Sequence, residues 1–174
     1  DMDDVIKRTL KKGVFMITVG TQKDTSKNGL LVSEKYDGLW ASVGLHPNHL
    51  VAQSFFDDDE LPPEKQTTNK IKTRTEEFDY EYLRKLAQHP KCVAIGECGL
   101  DFYRIPEEAN KDEVIEKQYE VVRQHFDLAT EMNLPIIIHC RDGYDEQADL
   151  VFEYTKEGKL QAGGVVHCFS GNLE

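Results

Sequence analysis

The chain has 174 residues, of which 39% are apolar, and it carries a formal net charge of −11 at pH 7. This length allows one domain with a substantial core, although a complete βα-barrel needs roughly 250 residues. The negative charge argues against a protein that binds nucleic acid through a broad basic face, so an anionic substrate would have to be bound locally, for instance through divalent cations.

Helices and strands are predicted to alternate from the start of the chain. Apolar residues recur at helical spacing over Met2–Leu10, Gly13 stops the pattern, and the apolar run Val14–Val19 predicts a buried strand. A weaker helix is predicted over Asn28–Tyr36, and it leads into a second strand over Leu39–Val43. The same unit of helix followed by strand has therefore occurred twice.

Three further copies of this unit follow later in the chain. The predicted helices and their strands are Tyr80–His89 with Val93–Gly96, Asp112–Met132 with Pro135–His139, and Asp145–Lys156 with Gly164–Phe169. Continuously apolar strands are buried on both faces, and strands separated by helices are normally parallel, so the pattern predicts an α/β fold. A glycine-rich phosphate motif of the G-x-G-x-x-G kind is absent, which favours a TIM-type (β/α) barrel over a nucleotide-binding open sheet. About five βα units are recognisable, and we expect the first strand and the last strands of the barrel to be missing.

The segment Leu50–Phe78 interrupts this alternation with an acidic run at Asp57–Glu60, the pair Pro62-Pro63 and a polar stretch. We therefore predict one domain over residues 1–174 with a polar, acidic insertion at about residues 50–78. Loop statistics favour a solvated surface loop, and the alternative is a lid over the functional site.

Three of the predicted strands run directly into Glu97, His139 and His167. The carboxyl ends of parallel strands lie at one rim, which is the active-site face of a barrel, so we expect these side chains to converge there. A Glu/His/His set can bind zinc or a harder divalent cation and leave positions open for water and substrate oxygens. One histidine at a strand end is more commonly structural, but the coincidence at three strand ends favours a metal site.

A cysteine directly follows each of these three residues: Cys98, Cys140 and Cys168. Because side chains alternate along a strand, the cysteines and the predicted ligands should point to opposite sides. Cysteine is commonly buried as a small apolar residue, whereas Glu and His are costly in an apolar layer, so we expect the cysteines to pack outward against the helices. A zinc site formed by thiolates is the alternative.

His46 and Arg141 are predicted to contact the substrate. His46, in the sequence Gly-Leu-His-Pro just past a strand, would contact a phosphate or a metal-bound water, and its alternative role is that of a turn residue held by Pro47. Arg141 has the forked donors that suit a phosphate, and its alternative is a salt bridge at the rim with Asp142 or Asp145.

An intracellular protein, cytoplasmic or nuclear, is expected. No run of about 18 apolar residues is present, and Asp1–Asp4 lacks the basic-then-apolar order of a signal peptide. The four cysteines, which include Cys92, match neither a C-x-x-C metal motif nor a small disulfide framework, so reduced thiols are expected. We expect no membrane partner, and the oligomeric state, for which a monomer is one option, stays open.

The chain resembles the TatD family of metal-dependent deoxyribonucleases. The matching stretches are Ser42–Pro47, Val93–Phe102, Leu134–Asp142 and Gly164–Gly171. The resemblance implies an amidohydrolase-like TIM barrel, of which this chain would be the central part. It also implies that Glu97 adjoins or bridges two metal positions and that His139 and His167 bind metal. The family's later Glu-Thr-Asp motif and its opening strand, which in some members carries a His-x-His pair, have no counterpart in this sequence.

This resemblance implies hydrolysis of DNA phosphodiester bonds, by a 3′-5′ exonuclease, with Glu97 as the catalytic carboxylate and with two divalent ions, Mg2+, Mn2+ or Zn2+. Two other functions are compatible with the same residues. A metal-dependent hydrolase of a small-molecule amide or ester could use the same ligands on the same barrel, because fold and ligands do not choose the substrate. The second alternative is a non-catalytic interaction protein that has kept only the motifs of the barrel core.

Overall fold

The computed structural model describes residues 1–55 and 71–172. The strands are, in chain order, β1 (Met16–Thr18), β2 (Leu39–Val43), β3 (Ser54–Phe55), β4 (Ile71–Lys72), β5 (Cys92–Asp101), β6 (Ile136–Arg141) and β7 (Gly164–Val166). The helices are α1 (Met2–Lys11), α2 (Lys23–Ser33), α3 (Tyr80–Ala87), α4 (Lys111–Met132) and α5 (Tyr144–Lys156), with one 3-10 turn at Pro47–His49. None of these helices, among the described residues, combines the length and apolarity needed to cross a bilayer.

Five of the strands form one parallel sheet in the order β1-β2-β5-β6-β7. The strands β3 and β4 form a separate antiparallel pair. The predicted α/β class is confirmed, and the curled five-stranded sheet is a half-barrel. Because all strands of the sheet run in one direction, their carboxyl ends lie along one rim.

Local sequence explains where α4, the longest helix, begins and ends. The side chain of Asn110 accepts a hydrogen bond from the backbone N–H of Asp112, which satisfies a donor that has no partner within the helix. Asn133 ends the helix in the left-handed conformation, at φ 50°. The face of α4 that carries Val122 and Phe126 is completely buried against the sheet. Each such side chain contributes roughly 1.5–3 kcal/mol by leaving water.

Strand β5 is longer than the predicted Val93–Gly96, and it continues through Glu97 to Asp101. Its pairing with β6 shifts register between Ile95 and Cys98. Gly99 makes this path sterically feasible, since its φ is 151° and a Cβ there would overlap the carbonyl group of His139. Glu97 and Asp101 therefore belong to one irregular strand, and Glu97 is not its last residue.

The expectation that every strand is buried on both faces is wrong at the two edges of the sheet. Phe15 and Ile17 of the predicted strand Val14–Val19 are 72% and 48% exposed, and Val165 in β7 is 56% exposed. Both strands are also shorter than predicted. The reason is that β1 and β7 each pair with only one neighbour in the described sheet, so neither is enclosed.

The predicted insertion begins and ends in described residues. Its acidic run at Asp57–Glu60 and the pair Pro62-Pro63 lie outside the residues that the structure describes. The segments that flank them meet as β3 and β4, where Ser54 pairs with Lys72. Beyond β4, Glu76 bridges to the start of α2, because its Oε1 accepts a hydrogen bond from the backbone N–H of Lys23 at 2.8 Å.

Candidate functional site

Strands β5 and β6 and the turn that follows β2 bring three predicted site residues together. Side-chain nitrogen or oxygen atoms of His46, Glu97 and His139 all lie within 4.8 Å of one another. Glu97 Oε1 is 3.4 Å from His139 Nδ1 and 4.0 Å from His46 Nε2. The two imidazole rings are 4.2 Å apart between centroids. A carboxylate and two imidazoles therefore face one point at the rim.

The loop that follows β1 fixes the backbone of two of these residues. The N–H of His46 donates to the carbonyl of Thr21 at 3.0 Å, and the N–H of Glu97 donates to the carbonyl of Gly20 at 2.9 Å. The side chains of His46 and Glu97 are each only 12% exposed. Their positions are thus set by backbone hydrogen bonds and by burial, as preorganisation of a site requires.

Asp101 orients the ring of His139 from the side of the ring that faces away from Glu97. It is completely buried, and its Oδ2 lies 3.1 Å from His139 Nε2. A carboxylate only accepts hydrogen bonds, so the proton of neutral His139 is held on Nε2 and its lone pair on Nδ1 points toward Glu97. Burial alone lowers the pKa of His139, but the protonated ring would donate hydrogen bonds to both Asp101 and Glu97, and because these outweigh burial the pKa is raised.

This orientation fits a bound cation. A lone pair on Nδ1 and a carboxylate oxygen 3.4 Å away repel each other unless a proton or a metal ion lies between them. The chain of carboxylate, histidine and open ligand atom is the usual arrangement of a metal-binding histidine. His139 and Glu97 therefore have the donor atoms, and the outer support, that a divalent cation needs.

In His46 the ring nitrogen that faces Glu97 carries the proton, whereas in His139 the nitrogen that faces Glu97 carries the lone pair. Its Nδ1 accepts a hydrogen bond from the backbone N–H of Asn48 at 3.1 Å, so a neutral ring carries its proton on Nε2, the atom that faces Glu97. Burial, followed by the nearby His139, holds the pKa of His46 well below its usual value, which keeps the ring neutral. His46 thus presents a hydrogen-bond donor to the site, which suits a substrate oxygen better than a metal ion.

His167 lines the same pocket as Glu97 and His139, but it lies outside the close group that these two form with His46. Its backbone N–H donates to the carbonyl of Ile138 at 2.7 Å, which ties it to β6, and its Nε2 is 3.3 Å from Cys168 Sγ. It follows the exposed edge strand β7 and is itself exposed. The three predicted ligands thus share a pocket, with His167 at its open side.

The predicted burial of the cysteines is confirmed for two of the three, and their outward direction stays a prediction. Cys98 is completely buried in the core and Cys140 is 6% exposed. Burial raises the pKa of both thiols, that of Cys140 to about 11, so they are neutral near pH 7. The prediction is wrong for Cys168, which is exposed because β7 ends at Val166 and Cys168 has φ 46°, outside the strand conformation. None of the four cysteines, all of which are described, forms a disulfide.

Arg141 lies at the rim, where it lines the pocket together with Arg104. Its guanidinium carbon lies 3.9 Å from the centroid of the Tyr103 ring, a distance at which a cation stacks on an aromatic face. Arg141, which is predicted to contact the substrate, thus lies beside the close group of His46, Glu97 and His139.

Asp101 was not singled out from the sequence, nor were two residues of α4 that support the site. Gln118 is buried and makes two hydrogen bonds to the backbone of Asp101, at 2.8 and 2.9 Å. His125, also on α4, accepts a hydrogen bond from the N–H of Leu45, next to His46, at 3.0 Å. The available sequence signals were that Asp101 lies in the family-matching stretch Val93–Phe102 and that it follows the short uncharged run Cys98–Leu100.

The chain is similar to known proteins over its whole length. The family model described as TatD related DNase matches residues 1–174. The chain is 34% identical over 177 aligned residues to "Uncharacterized metal-dependent hydrolase YabD" of Bacillus subtilis (strain 168), and the match covers 100% of this chain and 56% of YabD. It is 31% identical over 178 aligned residues to "3'-5' ssDNA/RNA exonuclease TatD" of Shigella flexneri, with 100% of this chain and 55% of that protein covered. The chain spans about half the length of these curated relatives.

Solved structures share the fold over a similar range. A hydrolase of the TatD family from Entamoeba histolytica superposes with a TM-score of 0.67 at 26% identity, covering 99% of this chain and 50% of that one. The TatD homologue YJJV from Escherichia coli superposes with a TM-score of 0.62 at 26% identity, covering 91% and 49%. The whole-length family match and the shared architecture lead to one conclusion, which is that this chain belongs to the family of TatD-related DNases.

Proposed function

We propose that the natural protein hydrolyses phosphodiester bonds of DNA with divalent cations and removes nucleotides from the 3′ end. The observation that carries this proposal is the orientation of His139, whose Nδ1 lies 3.4 Å from Glu97 Oε1 at the rim of the sheet. The proposal is also supported by relatives named 3'-5' ssDNA/RNA exonuclease TatD, such as the one from Shigella flexneri.

Glu97, His139 and His167 would hold the cations. We propose that two ions, Mg2+, Mn2+ or Zn2+, would be held there and that Glu97 would be the catalytic carboxylate. Such ions, when bound, polarise phosphoryl oxygens and make water a better nucleophile. Asp101 keeps the proton of His139 on Nε2, at 3.1 Å, and thereby keeps Nδ1 available as a ligand.

His46 and Arg141 would bind phosphate groups of the substrate. The Nε2–H of His46 is a neutral donor that faces the same point as Glu97, and the forked donors of Arg141 suit two phosphate oxygens. In the hydrolysis, water forms a bond to phosphorus, the P–O ester bond breaks, and the leaving oxygen takes up a proton. His46 would stabilise negative charge on the phosphoryl oxygens as this exchange proceeds, and Arg141 would hold a phosphate of the strand beside it.

The test is a nuclease assay with the full-length natural protein and 5′-labelled single-stranded DNA, with Mg2+, Mn2+ or Zn2+ and with EDTA. Glu97→Gln keeps the shape of the side chain but removes its charge, and it should lower cleavage at least about 100-fold. EDTA should abolish cleavage. The matched control is Glu81→Gln, which removes one charge from a side chain that is 80% exposed on α3; it should leave cleavage unchanged.

Each other outcome selects a different function. Absence of metal-dependent cleavage of DNA would overturn the proposal. Turnover of small amides or esters alone would favour the small-molecule hydrolase. Unchanged function in cells after Glu97→Ala combined with His139→Ala would favour a non-catalytic interaction protein.

A further inference from the structure

Tyr103 is a large aromatic side chain that is 52% exposed beside the candidate site. It lies two residues beyond Asp101, the last residue of β5, and the guanidinium carbon of Arg141 is 3.9 Å from the centroid of its ring. The proposed hydrolysis uses Arg141 but gives Tyr103 no part. Phe15, which is 72% exposed, instead precedes β1 at one edge of the sheet.

The register between β5 and β6 sets the distance from the metal-binding residues to this pair. Gly99 pairs with His139, and Asp101 pairs with Arg141. Because side chains two apart on a strand share a face, Arg141 follows His139 on the same face of β6. Two residues of a strand span about 6.6 Å, which is of the order of the separation of neighbouring phosphates in an extended nucleic acid strand. The backbone positions of His139 and Arg141 are therefore about one nucleotide apart, and Tyr103 is in contact with Arg141.

Hydrogen bonds hold Tyr103 in a fixed relation to the site. On one side of it, the N–H of Phe102 donates to the carbonyl of Arg141 at 2.9 Å. On the other side, the N–H of Arg104 donates to Asp101 Oδ1 at 2.8 Å. Asp101 is the carboxylate that also contacts His139, so the turn carrying Tyr103 and the predicted metal ligand share one anchor.

We infer that Tyr103 and Arg141 form a nucleoside subsite, in which the ring of Tyr103 stacks on the base next to the scissile phosphate and Arg141 binds the adjoining phosphate. The inference rests on the proposed nuclease function and deepens it. An aromatic ring combined with an arginine is the usual means of binding single strands, since every base has a face that can stack. A paired base is already stacked and hydrogen-bonded within a duplex, so the subsite selects unpaired ends.

The test uses the full-length natural protein with Mn2+ and two labelled single-stranded decamers. The decamers are identical except that one lacks the bases of its last two nucleotides at the 3′ end. Tyr103→Ala should lower kcat/KM for the normal strand about tenfold, because stacking of one base on an aromatic residue contributes that much. It should change kcat/KM for the abasic strand less than about twofold, since the contact is already lost there. Tyr103→Phe should behave like the wild type on both strands.

A matched control and a binding measurement complete the test. Phe15→Ala removes an aromatic ring that is 72% exposed next to β1, an edge strand of the sheet, and it should leave both values unchanged. Binding of the normal strand to Glu97→Gln protein, followed by fluorescence anisotropy, should weaken about tenfold when Tyr103→Ala is added. Equal losses on both strands, or no loss on either, would overturn the subsite while leaving the nuclease proposal intact. A wild-type protein that cleaves neither strand would overturn the nuclease proposal itself, and the subsite with it.

Discussion

Asp101→Asn replaces one oxygen of a completely buried carboxylate with an NH2 group. In the native site Asp101 Oδ1 accepts from the N–H of Arg104 at 2.8 Å, and Oδ2 lies 3.1 Å from His139 Nε2. The N–H of Arg104 requires the remaining oxygen of the amide, so the new NH2 group would face His139 Nε2. Two donors cannot face each other, and the proton of the ring would therefore move to Nδ1. The lone pair that faces Glu97 would be lost.

The expected effect follows from the cost of disturbing the partner of a metal-binding histidine. Such changes typically lower metal affinity by roughly 10- to 100-fold, which corresponds to about 1.4–2.7 kcal/mol. Isothermal titration of the full-length protein with Mn2+ measures the change in Kd. Thermal unfolding of the metal-free variant, followed by circular dichroism, checks that the fold is retained.

Asp142→Asn is the matched control for this experiment. Asp142 is exposed at the same rim and has φ 59°, a conformation that Asn adopts readily, so the substitution removes the same charge without backbone strain. Its Kd for Mn2+ should stay within about twofold of the wild type, because exposed charges act weakly across water. An Asp101→Asn variant that folds and binds Mn2+ as the wild type does would refute the reasoning. An equal loss in both variants would show that only net charge matters.

Three further outcomes are expected. His46→Gln should leave the Kd for Mn2+ within about threefold but lower kcat/KM for DNA at least tenfold. The reason is that Nε2 of neutral His46 carries a proton and is therefore a hydrogen-bond donor, which suits the substrate and not a metal ion. Kinetics and calorimetry on one preparation measure kcat/KM and Kd separately. Gly99→Ala should lower the free energy of unfolding by about 3 kcal/mol or more in urea titrations, since its Cβ would overlap the His139 carbonyl; an unchanged stability would contradict the close approach of β5 to β6. Burial lowers the pKa of His125 to about 4, so the stability that neutral His125 contributes above pH 6.5 is lost as the pH falls toward 4, by about 3 kcal/mol. His125→Gln should be less pH-sensitive than the wild type by that amount over this window, and identical curves would contradict it.

The order and type of the main elements could be predicted from local patterns. The helix predicted over Asp112–Met132 is α4, which begins one residue earlier, and the strand predicted over Leu39–Val43 is β2 without change. These elements have strong periodicity and clear end signals, which are properties of neighbouring residues. The helix predicted over Asn28–Tyr36 instead begins at Lys23, because Gln22 and Thr25 cap it through hydrogen bonds that apolar periodicity does not report.

Part of the site followed from the same local patterns. The ends of three predicted strands pointed to Glu97, His139 and His167, and parallel strands bring these residues to one rim, where they line one pocket. Their role as metal ligands stays a prediction. Asp101 could not be assigned a role, because its contact with His139 depends on the register shift within β5, and that shift arises from pairing with a strand 35 or more residues away.

The amino-acid sequence by itself determined the alternation of helices and parallel strands, the family resemblance, and which residues carry groups able to bind a cation. Only the tertiary structure decided how those groups are oriented. The proton positions on His46 and His139 depend on Asn48 and Asp101, and hydrogen bonds of this kind form only when strands and turns have packed. Periodicity is a property of neighbouring residues, whereas the direction of a lone pair is set by whatever atom the fold places beside it.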